Sequence, residues 1–429
     1  MTNTSGFRHK SFRDPLYGFI GLSEKEVKLV DSKVFRRLHR IKQLSHAHLV
    51  YPSALHTRFE HSLGAMHIAG RMCDELGLEK KVVRQAALLH DIGHGPFSHL
   101  FESILEKVNP GIDNIHEEIT KMIIDGDREI DSILGSGKKE VIEILRPKSK
   151  MDFKSPTLCA DVVSGSLDAD KMDYLRRDSY FLGVSYGMFD LERVIYTLRP
   201  TPGNYPSLGI DIRGKDAVES YRLARHLMHT QVYEHHTRLA ADRMFLQALD
   251  SAIYEEGVIA PDMLNLNCSE FLDHYTKLDD NSICELIMRD PRAKKSKNIL
   301  ERIRQRKLPK RACQFSSIDI KPETKKRLLV AEQSELNSIA EQVAEELKVQ
   351  PHEIIFHESR ITIKLYDEGD IPLITGKRVQ DLKQISPITA KDTVVMFYVF
   401  GPPEVGLDKI CSKVADVLDV KPEEVCRFK

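Results

Sequence analysis

Ionisable side chains are concentrated on otherwise apolar helical segments between residues 56 and 117 of this chain. Burying a histidine or a carboxylate is unfavourable unless the group is paired or bound to a ligand. A helical core that retains so many of these groups is therefore expected to hold a ligand among them. The residues concerned are His56, Arg58, His61, His90, Asp91, His94, His99, His116 and Glu117.

Apolar residues recur at helical spacing over most of the first 290 residues, which predicts a mainly α fold built as a helical bundle. Glu60–Leu76 is predicted as an amphipathic helix and Lys81–His90 as a mostly buried one. Residues 1–20 are predicted to be an irregular lead-in. The strand-like stretch Leu208–Ile212 is expected to pair in a hairpin with Thr201–Tyr205.

The composition changes at residues 292–311, where ten lysines and arginines stand against the single acid Glu301. We therefore expect a helical domain over residues 1–311, including this basic segment, and a small α+β domain over 312–429 with a regulatory or oligomerisation role. The elements predicted for the second domain are a long helix Glu323–Leu347, strands Glu353–His357 and Arg360–Tyr366 around a turn, a strand Asp392–Val399, and a helix Gly406–Leu418.

The His90-Asp91 pair at the end of an apolar helix is the centre of the predicted site. Imidazole nitrogen and carboxylate oxygen together suit a divalent metal ion, for which Mg, Mn, Fe, Co, Ni and Zn are all candidates. His61 upstream and Asp170 downstream can join the pair from other helices of a bundle. From the residues alone, Asp168 is an alternative to Asp170.

Bulk properties exclude some classes of function. The 429-residue chain has a net charge of −1, so attraction to phosphates must come from local clusters. Apolar runs are too short for a membrane helix. Its seven cysteines are scattered without a CxxC motif, which fits buried thiols in a reducing compartment. We therefore expect a cytoplasmic protein with no membrane partner.

The pattern H…HD…D resembles the HD superfamily of metal-dependent phosphohydrolases. The strings IKQLSHAHLVYPSALHTRFEHSLG, LLHDIGHGPFSHLFE and LDADKMDYLRRDSYFLG resemble its deoxynucleoside triphosphate (dNTP) triphosphohydrolase branch, which includes bacterial dGTPases and the sterile-alpha-motif/HD-domain dNTPase. The resemblance covers roughly residues 10–250. His94 adds to it, because phosphodiesterase branches often have lysine there.

The resemblance implies a reaction and a ligand set. His61, His90, Asp91 and Asp170 would bind the metal, and Asp170 is favoured over Asp168 because it matches the first aspartate of the family's DKxDY string. A water molecule bound to the metal would attack the α-phosphorus of a dNTP, releasing a deoxynucleoside and triphosphate.

The resemblance also implies roles for other side chains. Without the resemblance, Arg58, Lys171 and Arg225 would be interpreted as surface charges, and Tyr174 and Tyr233 as packed helix residues. The acid/base candidates are His94, His99, His116 and Glu117. The substrate-binding candidates are Arg58, Lys171 and Arg225 for phosphate, and Gln43, Leu44, Tyr174, Asp178 and Tyr233 for sugar and base.

The resemblance also bears on assembly and regulation. Related dNTPases work as oligomers, so we expect a homo-oligomer, a dimer or a tetramer. A nucleotide activator is possible, since Lys10 and Asp31 match part of the family's activator pattern, although Arg36 and His39 depart from it. The alternatives are another HD phosphohydrolase, acting on a nucleoside monophosphate, a cyclic dinucleotide or an alarmone, and a nucleic-acid-binding protein that uses the basic segment.

Overall fold

The computed structural model describes residues 10–112, 114–146, 157–204, 206–331, 333–361, 371–376, 378–386 and 394–425. Most of them are helical, so the predicted mainly α class is confirmed. The contacts divide the chain into two compact units. The first contains the described parts of residues 1–228, 259–286 and 368–389, and the second those of 229–258, 287–367 and 390–429.

The first unit is a helical bundle with two small sheets. Its strands are β1 (Lys10–Asp14), β2 (Gly18–Leu22), β3 (Leu198–Pro200), β4 (Leu208–Asp211), β7 (Pro372–Thr375) and β8 (Arg378–Asp381). Its helices are α1 (Glu24–Asp31), α2 (Lys33–Arg36), α3 (Arg58–Leu76), α4 (Lys80–Leu89), α5 (His99–Val108), α6 (Ile115–Gly126), α7 (Arg128–Leu134), α8 (Lys138–Leu145), α9 (Thr157–Val163), α10 (Ala169–Leu182), α11 (Leu191–Tyr196), α12 (Lys215–Met228), α14 (Phe271–Tyr275) and α19 (Leu382–Ile385).

Helix α3 lies in the core of this unit and packs against α4 and α10. It begins with a capping box, in which Glu60 reaches back to the backbone of Thr57. It ends at Gly77, which adopts a left-handed conformation that a residue with a side chain rarely takes. Most of α3 is buried, including the polar side chains of Arg58, His61 and Ser62, so these groups need partners inside the unit.

The amino-terminal segment differs from the predicted irregular lead-in, which was wrong for residues 10–20. Strands β1 and β2 form an antiparallel hairpin with Lys10 opposite Leu22. The Asp14 carboxylate closes the turn by accepting hydrogen bonds from the backbone N–H groups of Leu16 and Tyr17. The strand predicted at Leu208–Ile212 is confirmed as β4, but its hairpin partner is β3, so the expected pairing with Thr201–Tyr205 was wrong.

The second unit contains a three-stranded antiparallel sheet in the order β5-β9-β6. Its apolar side chains form a core with those of α18 and α20. The strands are β5 (Lys310–Ser316), β6 (Ile355–Ile361) and β9 (Val394–Gly401). The helices are α13 (His236–Asp250), α16 (Lys295–Arg304), α17 (Pro322–Val330), α18 (Gln333–Leu347), α20 (Leu407–Leu418) and α21 (Pro422–Val425), and α15 (Asp280–Arg289) spans the division between the units.

Two predictions for this part of the chain were wrong in detail. The expected turn at Glu358-Ser359 lies inside the single strand β6, because both residues pair with β9. The expected long helix Glu323–Leu347 is two helices, because Ala331 has extended backbone angles. Residues 362–366 and 392–393 of the predicted strands lie outside the described residues.

The predicted domain boundary near residue 312 does not coincide with the division between the two units. Helix α13 packs against α16 and contacts β5, which joins residues 236–250 and the basic segment to the sheet of the second unit. The chain also returns to the first unit at β7, which pairs with β4 in parallel. One boundary along the sequence cannot divide the two units, because two strands far apart in the sequence can pair in parallel in one sheet.

Cysteines follow the sequence expectation only in part. Cys73, Cys159, Cys268, Cys284 and Cys313 are free thiols. Cys411 is disulfide-bonded, which the expectation of reduced thiols did not include. Among the described residues, no helix combines the length and apolar character that a membrane crossing requires.

Candidate metal centre and substrate site

The loop of residues 90–98 follows α4 and carries several of the predicted site residues. Its backbone is held by buried side chains from distant segments. The Arg37 guanidinium donates to the carbonyl oxygen of Ile92 at 2.9 Å, and the Tyr275 hydroxyl donates to that of Gly93 at 2.8 Å. These contacts satisfy carbonyls that a buried loop would otherwise leave unpaired, so the loop has a defined shape.

Four predicted metal ligands come together from α3, the end of α4 and α10. The Nε2 atom of His61 lies 3.5 Å from Oδ2 of Asp91 and 3.0 Å from Oδ1 of Asp170. The Nε2 atom of His90 lies 3.2 Å from Oδ1 of Asp91 and 3.5 Å from Oδ1 of Asp170. Ligand atoms of His61, His90 and Asp91 thus lie close enough together to hold a divalent metal ion, and Asp170 adjoins both imidazoles.

The hydrogen bonds of the two imidazoles fit a metal at that point. Nδ1 of His61 donates to the Asp173 carboxylate at 2.8 Å, and Nδ1 of His90 donates to the Ala87 carbonyl oxygen at 2.7 Å. With Nδ1 donating in each ring, Nε2 is the nitrogen that remains to bind a cation, as in a metal-binding histidine held by a carboxylate or a carbonyl. Without a cation, Nε2 of His61 would instead carry a proton and donate it to Oδ1 of Asp170 at 3.0 Å. Nε2 of His90 is buried and makes no hydrogen bond of acceptable geometry within the described part of the chain, so a cation would satisfy it.

The geometry distinguishes Asp170 from its alternative Asp168. The Asp168 carboxylate caps α10, accepting hydrogen bonds from the backbone N–H groups of Lys171 and Gly165 at 2.7 and 2.9 Å. It also pairs with the Lys171 ammonium at 2.7 Å. Asp168 is thus committed to the helix end and to a lysine, whereas Asp170 faces the two imidazoles.

A second cluster adjoins the donors and gathers around Glu102, a residue that the sequence analysis missed. Oε1 of Glu102 lies 2.7 Å from Nδ1 of His94 and 3.1 Å from Nδ1 of His99. Its Oε2 lies 3.1 Å from Nδ1 of His116. Nε2 of His94 lies 3.2 Å from Asp91, which links the cluster to the metal donors. The spacing of Glu102 three residues after His99 on a helix could have identified it.

The stacked rings of His94 and His116 differ in their preferred charge. Burial and the neighbouring Arg58 and His116 lower the pKa of His94 to about 4, so this ring is neutral at pH 7. Burial alone would lower the pKa of His116, but its hydrogen bond to Glu102 and the charge of that carboxylate raise it. A proton therefore favours His116 over His94, because burial and the charge of Arg58 outweigh the two carboxylates that contact His94. Glu117 follows His116 on α6 and is half-buried.

The three predicted phosphate-binding residues have different surroundings. Arg58 is 3% exposed and its Nη1 lies 2.6 Å from Oδ2 of Asp91. Arg225 is also buried, so neither arginine is the surface charge that was the alternative. Lys171 is half-buried, and its ammonium is paired with Asp168.

The predicted sugar and base contacts are brought together only in part. Asp178 is buried and paired with Nε2 of His56 at 2.7 Å. The Tyr174 ring lies 6.4 Å from the His61 ring, and burial is the main cause that raises its pKa to about 12. Gln43 is buried, and its side-chain oxygen has no hydrogen-bond partner among the described residues, as a group awaiting a ligand would.

For Leu44 and Tyr233, the other two predicted sugar and base contacts, the structure gives only their location. Leu44 adjoins Gln43 and is half-buried. Tyr233 lies in the second unit, on the π-helical segment His229–Tyr233. Its role stays a prediction.

Family comparisons agree with this site. Residues 58–178 match the HD domain, which covers the described donors from His61 to Asp170, and residues 189–427 match the HD-associated region. A hypothetical protein from Aquifex aeolicus has a similar crystal structure, with a TM-score of 0.74 and 30% identity over 94% of this chain and 99% of that one.

Curated relatives include an uncharacterized protein of Methanocaldococcus jannaschii, 33% identical over 88% of this chain and 75% of that protein. Deoxynucleoside triphosphate triphosphohydrolase SAMHD1 of Homo sapiens is 30% identical over 70% of this chain, and its homologue in Dictyostelium discoideum is also 30% identical over 70% of it. The matched segments span only 54% and 59% of those two proteins. With its HD domain, its HD-associated region and these relatives, the chain belongs to the HD-domain family and is an HD-superfamily phosphohydrolase.

Proposed function

We propose that the chain hydrolyses dNTPs to deoxynucleoside and triphosphate. The observation that carries the proposal is the contact between two clusters, the metal donors and the three histidines around Glu102, joined where His94 meets Asp91. A cation site beside proton donors is what phosphoester hydrolysis requires. The similarity to SAMHD1, whose name states this activity, supports the same substrate class.

His61, His90, Asp91 and Asp170 would hold the divalent cation. When bound, the cation supplies a Lewis acid for phosphate oxygens and makes a water molecule acidic enough to attack near neutral pH. The Asp170 side chain is 31% exposed, so the donor set is open to solvent on its side. Arg58, held by Asp91, and buried Arg225 would bring positive charge to the phosphates, where a guanidinium can bind two oxygens at once.

His99 is the residue that would protonate the departing 5′ oxygen. Its side chain is 68% exposed at the start of α5, so a substrate can reach it. Its Nδ1 faces Glu102, so the proton to be transferred would be held on Nε2. His116 shares the same carboxylate and, with Glu117, would keep a positive charge near the phosphates. Water attacks the α-phosphorus and the bond between this phosphorus and the 5′ oxygen breaks. The 5′ oxygen takes the proton from His99 and leaves as the deoxynucleoside, and the three phosphates, which now carry the water oxygen, are released together as triphosphate.

Deoxyribose selection is assigned to Tyr174, Asp178, Gln43, Leu44 and Tyr233. A tyrosine ring packed under the 2′ carbon leaves no room for a hydroxyl, which disfavours ribonucleotides by steric exclusion. The buried Gln43 oxygen, which lacks a partner, can accept a hydrogen bond from the base or the sugar.

The first test is an incubation of the purified protein with each dNTP and NTP in the presence of Mg, Mn, Fe or Co, with all products resolved. We expect a deoxynucleoside and intact triphosphate, with dGTP turned over at least about tenfold faster than GTP, the smaller end of what a single steric contact gives. Orthophosphate or pyrophosphate as the first product would favour another HD phosphohydrolase. Equal turnover of dGTP and GTP would disprove the sugar-exclusion argument alone.

We also propose that the chain forms a dimer or a tetramer with the basic segment near a subunit junction. Arg292 pairs with Asp290, and Lys295 on α16 pairs with Glu255, whereas Lys294 is exposed. An exposed cationic surface favours an anionic partner over an apolar one.

Light scattering tests this proposal on the wild type and on a variant with Lys294, Lys295, Arg304 and Arg306 changed to serine. We expect an oligomeric wild type and a variant of lower mass or weaker nucleotide affinity. A monomeric wild type would contradict the proposal. Binding of single-stranded nucleic acid that weakens with salt and is lost in the variant would instead support the nucleic-acid alternative.

A further inference from the structure

The turn of the amino-terminal hairpin contacts the helix that carries Asp170. Asp14 ends β1 and is 6% exposed, and its Oδ2 lies 2.8 Å from Nη1 of Arg177 on α10. The Tyr17 ring lies 5.8 Å from the same guanidinium. Arg177 has no exposed surface. The hairpin thus holds a buried arginine in place from one side.

The other side of this guanidinium grips the carboxylate that orients a metal donor. Nε and Nη2 of Arg177 lie 2.8 and 3.0 Å from the two oxygens of Asp173. Oδ2 of Asp173 also accepts the Nδ1 proton of His61 at 2.8 Å. An unbroken series of buried contacts, the Asp14–Arg177–Asp173 chain, therefore joins the hairpin turn to His61.

The packing of α3 leaves room for the Asp173 and Arg177 side chains. Gly64 lies one turn after His61 on α3, where a Cβ atom would lie 1.9 Å from Oδ1 of Asp173 and 2.4 Å from Nη2 of Arg177. These distances are far below van der Waals contact, so an alanine at this position would force the pair apart. The absent side chain lets the ion pair lie directly against the helix that carries His61.

The Asp14–Arg177–Asp173 contacts fix the orientation of the Asp173 carboxylate, which a carboxylate without these partners would not keep. A carboxylate that only accepts a hydrogen bond from an imidazole can rotate, whereas one gripped by two guanidinium nitrogens is held in plane. The guanidinium is held in turn by Asp14, whose other oxygen is fixed by the backbone N–H groups of Leu16 and Tyr17. The Nδ1 hydrogen bond, and with it the aim of His61 Nε2, therefore depends on the hairpin turn.

We propose that Asp14 and Arg177 are positioning residues for His61 and that the amino-terminal hairpin is a structural part of the metal centre. The proposal rests on the metal site of the proposed function. It predicts that weakening the hairpin contact lowers metal affinity without touching any donor. It also means that a ligand that displaces the hairpin would reduce metal affinity.

The test measures the affinity for Co²⁺ by chelator competition and the Co²⁺ absorption spectrum, on Asp14→Asn, Arg177→Met and His61→Ala. The matched control is Glu26→Gln. Glu26 is also a buried carboxylate paired with an arginine, Arg84, which contacts the hairpin at the Gly21 carbonyl oxygen. Its carboxylate is bound by Arg84 and by the backbone N–H of Ser23, and not by the residues that orient His61. Its loss is therefore expected to lower the unfolding midpoint of the metal-free protein but to leave the affinity for Co²⁺ within about twofold.

We expect about 10-fold weaker Co²⁺ binding in Asp14→Asn and up to about 100-fold in Arg177→Met, the range seen when residues that orient metal ligands are replaced, together with a shifted spectrum. If Arg177→Met does not fold, the Co²⁺ affinity and spectrum of Asp14→Asn alone test the inference. Wild-type affinity and spectrum in Asp14→Asn, or an equal loss in Glu26→Gln, would overturn the inference and leave the metal site standing. Undiminished Co²⁺ binding by His61→Ala would overturn both.

Discussion

Changing His90 to alanine is expected to abolish both bound metal and hydrolysis while the fold survives. The variant removes one of the two imidazole donors together with the Nδ1 hydrogen bond to the Ala87 carbonyl oxygen. The cation is what would make the attacking water molecule acidic, so turnover is expected to fall below detection when it is lost. Elemental analysis of the purified protein and the dNTP assay measure the two losses.

Asp91→Ala is expected to give the same two losses with an added cost in stability. Its removal leaves the buried Arg58 guanidinium without its carboxylate, which costs about 3–5 kcal/mol when one partner of a buried pair is removed. Asp91→Asn keeps the shape and part of the hydrogen bonding, and it separates metal loss from unfolding. The matched control is His67→Ala on the same helix as His61, outside the donor set, which should retain its metal. Unchanged metal content in both His90→Ala and Asp91→Ala would show that these residues are not ligands.

Changing Gly93 to alanine is expected to have the largest effect on stability. A Cβ atom at this position would lie 2.2 Å from the carbonyl oxygen of His116 and 2.5 Å from the backbone nitrogen of Thr120. Backbone atoms of α6 cannot move aside as a flexible side chain would. We expect the free energy of unfolding to fall by about 3 kcal/mol or more, at the upper end of overpacking effects.

Urea denaturation followed by circular dichroism measures this change, and Gly137→Ala is its control. A Cβ atom at Gly137 would meet nothing within 4 Å, and the backbone there has φ −77°, which alanine adopts readily. The control is expected to stay within about 1 kcal/mol of the wild type. A similar midpoint for Gly93→Ala and the wild type would mean that the 90–98 loop and α6 are not packed as described. Because that loop carries His94, we also expect Gly93→Ala to lose activity before it loses all structure.

The helical class was accessible from the sequence because the spacing of apolar residues is a local signal, and the four predicted donors came from one local pair and from a motif resemblance. Apolar spacing marks a buried helix, and a His-Asp pair at its end is unusual enough to mark a site. The helix predicted over Lys81–His90 is α4, which runs from Lys80 to Leu89. The motif resemblance then identified His61 and Asp170, and all four donors lie close together in the structure.

Elements that depend on a distant partner were predicted less well. The segment around Glu358-Ser359 forms a strand because β9 pairs with it, and Asp14 stabilises the hairpin turn through backbone contacts that composition does not reveal. Glu102 carries no motif of its own, and its position among three histidines follows from the packing of α5 against α6.

The sequence by itself determined the mainly α class, the donor types and the HD-family membership, because these depend on residue identity and short-range spacing. The motif match favoured Asp170 over Asp168, but only the tertiary structure supplied the physical reason, since the two residues differ by two positions and Asp168 caps α10. The tertiary structure alone also joined Asp14 to His61 through Arg177 and Asp173, because these contacts link residues more than a hundred positions apart. Long-range contacts of this kind arise from how helices pack, which residue identity constrains but does not specify.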